Sequence, residues 1–423
     1  MSFAASAPIF DLPPVLDLIC EFIWTDDINS CRLVCKEWAT LFDIYRWKHV
    51  YSDIPSLGLS GELCYNLQGP RSLEAIWKNS SRIRTLNITI AELAQLLELD
   101  QDTLPHLQEL SLRSKYCCSS DDVAHVNEVF KFMTRPSSRL HAVSMSTAIK
   151  ESHHRFNLGL LPGLAIHPAL TELTLRAYKY SDPLVVLAIL KNCPPTLHKL
   201  RVDCHCEGFD GPEKARKLAA IARESEEQYE WRRFESLRRL TVTCRLGGCE
   251  SWVHHPILRN SPNLRCLRIG EYFDDDEVDF EGFRQTLAVI PTTCPKIEHL
   301  DVQQGGIEMG VSAEDLVRLV QSYPRGLRSF NFSMPESGGE QVFSAIIQTS
   351  ATTLESVFLD HFYYSSTVSV ETATRFVQEC PLLEDFRMGC SCSQSPRCRH
   401  IELRQFVDSQ NKRSDHFRWL YNF

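Results

Sequence analysis

The sequence predicts an α/β chain, with a small all-α module at the N-terminus followed by a solenoid of short parallel strands whose helices stack outside them. Three observations carry this. Apolar triplets spaced three and then two residues apart recur from Ile83 onward, eleven times in all. Stretches of helical periodicity lie between many of them, whereas Leu12 to Trp47 shows helical spacing alone. A length of 423 residues also exceeds one compact core, which calls for several domains or an elongated repeat.

In chain order, Asp11 is placed to cap a helix whose first turn tolerates Pro13 and Pro14, because no backbone donor is needed there. Val15, Leu16, Ile19, Phe22 and Ile23 fall on one face, with Asp17 and Glu21 on the other. After Thr25 and Asp26 a second helical pattern runs through Ile28, Cys31, Leu33, Val34, Trp38, Leu41 and Phe42, and Trp47 closes a module bounded at residues 1–53. Cys20, Cys31 and Cys35 read as part of its core. Roughly forty residues of this kind bury too little to stand alone, so the apolar face is expected to lean on a partner, on the next domain, or on both. Residues 54–82 form a junction: Gly58, Gly61 and Gly69-Pro70 supply turns, and Leu73, Ile76 and Trp77 begin a helix leading to Ile83.

The repeat body covers residues 83–389. Its triplets are Ile83-Leu86-Ile88, Leu107-Leu110-Leu112, Leu140-Val143-Met145, Leu170-Leu173-Leu175, Leu197-Leu200-Val202, Leu237-Leu240-Val242, Leu264-Leu267-Ile269, Ile297-Leu300-Val302, Leu327-Phe330-Phe332, Leu354-Val357-Leu359 and Leu383-Phe386-Met388. The last two positions of each alternate with polar residues, as a half-buried strand requires, and the first sits in the turn leading in. Helical stretches between copies include Leu287-Ile290, Leu316-Leu319-Val320, Phe343-Ile346-Ile347 and Phe376-Val377. Asp182 with Pro183, Ser312 with Asp315, and Ser369 are start signals; Cys193-Pro194, Cys294-Pro295, Tyr323-Pro324 and Cys380-Pro381 are stops. One such unit cannot hide its own apolar face, so neighbours must stack, with the strands forming a concave inner sheet. Residues 390–423 then form a cysteine-rich loop and, through Phe406, Phe417, Trp419, Leu420 and Phe423, a terminal cap.

A net charge of −9 argues against general nucleic-acid binding, and no apolar run approaches a membrane span. The apolar N-terminus lacks a basic region and is interrupted by Asp11, Asp17 and Glu21, unlike a signal peptide. Seventeen cysteines without an export signal read as reduced thiols in the cytoplasm or nucleus. Cys390, Cys392, Cys398 and His400 cluster, but not at a usual zinc-finger spacing, so neither metal nor cofactor is expected. The phosphate-loop, nucleophile-elbow, zinc-protease and dinucleotide motifs are all missing, which predicts no intrinsic catalysis. His153-His154 and His254-His255 read as surface pairs in loops.

In each strand, the residues flanking the last two apolar positions face away from the helices. There the second to seventh copies present Arg113, Arg176, Lys199, Arg201, Arg239 and Arg268 against Glu109, Glu172 and Asp203. This locally basic face is the expected substrate-binding surface, suited to an acidic or phosphorylated segment along Arg176, Arg201, Arg239 and Arg268.

Leu12-Pro13, Leu16, Ile19, Phe22, the run Cys31-Arg32-Leu33-Val34-Cys35-Lys36-Glu37-Trp38, and Trp47-Lys48 together resemble the F-box, with Pro14 and Trp24 departing from its pattern. The resemblance implies adaptor-binding roles for Leu12, Pro13, Leu16, Ile19, Val34, Cys35 and Trp38, which would insert into the Skp adaptor of a cullin-RING ubiquitin ligase. The triplets, some preceded by Cys-Pro, resemble leucine-rich repeats of the kind that follows an F-box, although the period varies and the asparagine or cysteine usual after the strand is mostly missing. Together these imply a substrate-recognition subunit of an SCF-type ligase, with the Skp adaptor, the cullin scaffold and a protein substrate as partners. The alternative is a leucine-rich-repeat interaction scaffold that recruits no ligase.

Overall fold

The computed structural model describes residues 30–36, 38–39, 42–43, 47–51, 73–100, 103–113, 128–135, 139–147, 167, 169–177, 190–205, 233–245, 254–272, 280–305, 311–333, 335, 337–360, 368–390 and 417–421. The chain divides into two compact units: Met1–Ser146 with Arg155–Leu170, and Thr147–His154 with Thr171–Phe423.

In the first unit, strands β1 (His49–Tyr51), β2 (Thr85–Thr89), β3 (Glu109–Arg113) and β4 (Ala142–Thr147) pair in parallel and in sequence order, with Val50, Leu86, Leu110 and Val143 in register. In the second, β5 (Glu172–Ala177), β6 (Lys199–His205), β7 (Arg239–Arg245), β8 (Cys266–Tyr272), β9 (His299–Gly305), β10 (Ser329–Ser333), β11 (Ser356–Asp360), β12 (Asp385–Cys390) and β13 (Phe417–Tyr421) do the same. Each unit is therefore an open parallel sheet built strand by strand, the α/β leucine-rich-repeat solenoid architecture that the triplets predict. The last two residues of all eleven triplets lie on strands β2 to β12, with the first just ahead of each strand; β1 and β13 are additional strands that no triplet marked.

Register explains why the repeat is read so directly. Leu200, Leu240, Leu267, Leu300, Phe330, Val357 and Phe386 align across strands and are all buried. Just ahead of the strands, one carbonyl accepts two amides of the next repeat. Lys48 O takes Arg84 and Thr85, His198 O takes Arg238 and Arg239, and Glu355 O takes Glu384 and Asp385, at 2.8–3.1 Å. These shared acceptors keep the strand entries in step and satisfy the entry amides of the strands that have them.

The helices cover the apolar side of the strands: α1 (Leu73–Lys78), α2 (Ile90–Leu99), α3 (His255–Arg259), α4 (Phe280–Thr293), α5 (Ala313–Gln321), α6 (Gly339–Ser350) and α7 (Val370–Glu379). Thr89 with Glu92 and Ser312 with Asp315 form capping boxes on α2 and α5, and the Ser369 hydroxyl accepts from the Thr372 amide to start α7. Helix α6 starts instead at Gly338, with φ 80°, where a Cβ would lie 2.6 Å from the Ala313 Cβ, so only glycine fits. The expected stops hold at Cys294, Tyr323 and Cys380, each buried just beyond a helix. Pro291 nonetheless sits within the last turn of α4, where Thr293 Oγ1 donates to the Val289 carbonyl at 2.9 Å. Phe343 packs edge-on against Phe376 (4.9 Å between centroids), which in turn meets Phe386 at 5.8 Å, joining two helices to a strand.

Two expectations are corrected. Cys35 is exposed, because the chain turns at Leu33 and Val34 just before it, and Cys31, in the helical residues ahead of the turn, is only half-buried. His254 is fully buried, since it enters α3 against the core, and His255 Nε2 lies 2.9 Å from Thr286 Oγ1 of α4. Leu12, Pro13, Leu16, Ile19, the start at Asp182, and Cys392, Cys398 and His400 lie outside the described residues. No described helix is long and apolar enough to cross a membrane.

Candidate functional site

Two surfaces carry candidate residues. In the first unit, residues 30–32 are helical and the chain turns at 33–34, leaving Leu33 87% and Val34 64% exposed, the highest exposures among the described large apolar side chains. Beyond the turn the Trp38 amide donates to Cys35 Sγ at 3.5 Å, and the half-buried Trp38 ring rests 5.5 Å from Phe42, which is buried. Asp43 fixes the segment by accepting Arg32 at 3.2 Å and Arg82 at 3.0 Å. Val34, Cys35 and Trp38 thus fall on one short stretch. Its aromatic end is anchored inward and its aliphatic end points to solvent.

The second surface is the polar face of the sheet in the second unit, and it is an ion network rather than a plain basic stripe. Asp203 Oδ2 accepts a hydrogen bond from Arg201 Nε at 2.7 Å and lies 3.5 Å from Arg176 Nε as an ion pair, while its Oδ1 accepts Thr243 Oγ1 at 2.7 Å. Arg268 Nε faces Asp301 Oδ2 at 3.3 Å and its Nη2 donates to Gln303 Oε1 at 2.7 Å. Lys199 pairs with Glu172 at 3.0 Å. Among the described residues Arg239 faces no carboxylate; its neighbour is the Cys266 thiol, whose pKa burial raises while the adjacent Arg239 charge pulls it down. These exposed pairs contribute little to stability, but they hold the guanidinium groups in place.

Five of the six basic candidates, Arg176, Lys199, Arg201, Arg239 and Arg268, therefore lie on four consecutive strands, β5 to β8. Arg113 ends β3 in the other unit and has no ionic partner among the described residues. The charge pattern alone did not mark Thr241 and Thr243, which share this face; their alternation with Leu240 and Val242 was the available signal. Among the described residues no group of histidine, cysteine and acidic side chains is arranged to hold a metal ion.

No family model matches the chain, and no curated protein sequence matches it. Among solved structures it is similar to the leucine-rich repeat-containing protein LegL7 from Legionella pneumophila, at 16% identity and a TM-score of 0.37, covering 73% of this chain and 92% of that one. It is also similar to a chain of the Rad7 and Elc1 complex in yeast, at 13% identity and a TM-score of 0.38, covering 93% of this chain and 97% of that one.

Proposed function

We propose that the chain is the substrate-recognition subunit of an SCF-type ubiquitin ligase. Residues 1–53 dock a Skp adaptor, and through it the cullin, by way of Leu12, Pro13, Leu16, Ile19, Val34, Cys35 and Trp38. The junction at 54–82 carries the repeat body, residues 83–389, whose polar sheet face holds a protein substrate; residues 390–423 close the array. The chain itself performs no chemistry: it raises the effective concentration of substrate beside the conjugating enzyme that the ligase brings, in the cytoplasm or nucleus. The observation that carries the reading is the Leu33-Val34 turn, where two large apolar side chains stay open beside an anchored Trp38 in the segment that resembles the F-box. A free-standing helical cap on the repeat would instead turn these side chains inward.

The test is copurification of the full chain with the Skp adaptor and cullin from cells. Stoichiometric adaptor is expected with the wild type and none with the Leu12→Ala, Pro13→Ala, Trp38→Ala triple variant. Wild-type chain free of adaptor would leave the scaffold that recruits no ligase as the function.

A further inference from the structure

We propose that the groove between helices α5 and α6 holds an extended segment of a partner protein, one that carries a single lysine or arginine among small uncharged residues. The two helices run side by side in the same direction. Gly338, at the start of α6, abuts Ala313 at the start of α5, and Gly326, just past α5, abuts the Thr349 carbonyl near the end of α6. Between the helices lies an open groove of about 620 Å³. The half-buried Val317 and the buried Ala345 form its floor, and the exposed Gln321, Gln341 and Gln348 stand on its walls. From Glu314 to Gln321 the α5 wall runs about 10 Å at the helical rise, room for about three residues of extended chain.

The groups left unused along the groove select the occupant. Gln321, Gln341 and Gln348 make no hydrogen bond among the described residues, so three amides, each both donor and acceptor, border a short apolar floor. They match the main chain of an extended peptide, whose N–H and C=O groups are open. A helix satisfies its own main chain internally, and its apolar stripe would find only Val317 and Ala345 here. Charge fixes the rest. Glu314 and Arg318 pair with each other at 3.4 Å, whereas Glu340, on the opposite wall, has no cationic partner among the described residues. Its Oε1 accepts the Ser369 amide at 3.2 Å and Thr372 Oγ1 at 3.3 Å, which anchors the carboxylate and leaves Oε2 for a ligand. Hydrogen bonding from the Ser369 side chain and backbone holds this carboxyl below its usual range, so it is charged at neutral pH. Glu314, Arg318 and Glu340 thus sum to one negative charge along the groove, the complement of a single lysine or arginine. An acidic or phosphorylated segment would meet Glu340 with like charge.

The groove is formed by helices alone, so its test is separable from the sheet face and from adaptor docking. The purified full chain is applied to immobilised degenerate peptides with a central lysine and uncharged residues elsewhere, and to twin libraries with norleucine or glutamate at the centre. Lysine peptides are expected to be retained at least about tenfold more tightly than either twin, the scale of one charged hydrogen-bonding group. Glu340→Gln, which keeps an acceptor for Ser369 and Thr372, is expected to remove that preference. The Gln341→Ala, Gln348→Ala double variant is expected to weaken retention of the lysine and norleucine libraries alike, and Glu98→Gln, the same charge change on α2 in the other unit, to alter neither. Melting curves establish that each variant is folded; should Glu340→Gln melt early, the double glutamine variant, which removes only exposed side chains, decides. Equal retention of the lysine and norleucine libraries would overturn the proposal. So would a lysine preference that folded Glu340→Gln keeps, retention that the double glutamine variant leaves unchanged, or a dimer of the unliganded chain in sedimentation that the double variant dissolves, which would make a second copy the occupant. Adaptor copurification on the same preparations reports the ligase reading alone, so either can fail while the other stands.

Discussion

The Tyr323 hydroxyl is buried where the chain leaves α5, with the residue only 2% exposed and, among the described residues, no hydrogen-bond partner for its oxygen. Burial pushes its pKa up, and the neighbouring Cys294 pushes the same way, so the phenol stays neutral at any ordinary pH. A buried hydroxyl without a partner costs about 1–3 kcal/mol, while the ring fills its site. Tyr323→Phe keeps the ring and removes the orphan, so unfolding free energy should rise by about 1 kcal/mol in urea titration; a fall would mean that the hydroxyl is satisfied. Cys193, Cys294 and Cys380 are also buried beside helix ends, and burial pushes their thiols up to about 12, 11 and 11. Native-state alkylation at neutral pH should therefore spare all three and modify the exposed Cys35, as read by peptide mass spectrometry. At this scale the sequence was legible where a residue's environment follows from its place in the repeat, as for Leu240 or Phe330. It was not legible for His254, nor for the sharing of Asp203 between Arg176 and Arg201, because both depend on which side chains register places opposite each other.

At the scale of elements, starts and stops carry most of the local specification. The box at Ser312 and Asp315 is one case: burial works to raise the Asp315 pKa, and hydrogen bonds from Ser312 and Arg284 with the Arg284 charge outweigh it, leaving it lowered. Both the Ser312 signal and the Ser369 signal were readable because a cap is a local pattern of four residues. The lead-in to β5 depends on a contact that no spacing reveals. His167, nearly buried, accepts the Ala169 and Leu170 amides on Nδ1 at 3.3 and 3.1 Å, which requires a neutral ring. Burial lowers its pKa from 6.5, against a smaller upward pull from the Met133 backbone. The unfolded chain therefore takes up the proton first: this contribution to stability is full above about pH 6.5 and is lost as pH falls through the folded value. His299 on β9 shifts in the same direction, also chiefly through burial, so the wild type must be compared with His167→Asn, whose Oδ1 accepts the same amides without titrating. The melting temperature of the wild type should drop more steeply than that of the variant between pH 7 and 5; parallel slopes would remove His167 as the cause.

At the scale of the molecule, within each unit every strand pairs only with its neighbours in sequence, so stability should be a chain of adjacent couplings instead of one indivisible core. The repeat period made this architecture readable. The end strands escaped, because β1 offers only His49-Val50-Tyr51 and β13 stands apart from the triplet spacing, so each is defined by the strand it pairs with. Nearest-neighbour coupling makes a prediction that a single globular core would not. Leu240 is 1% exposed at the centre of β7, aligned between Leu200 and Leu267, and Leu240→Ala there should cost about 2–5 kcal/mol. In native-state hydrogen exchange the loss of protection should concentrate in β6, β7 and β8 and fade by β11, four strands away in the same unit. Uniform loss of protection from β5 to β12 would show that the second unit unfolds as one body, and the sheet face could then not be tuned independently of the rest.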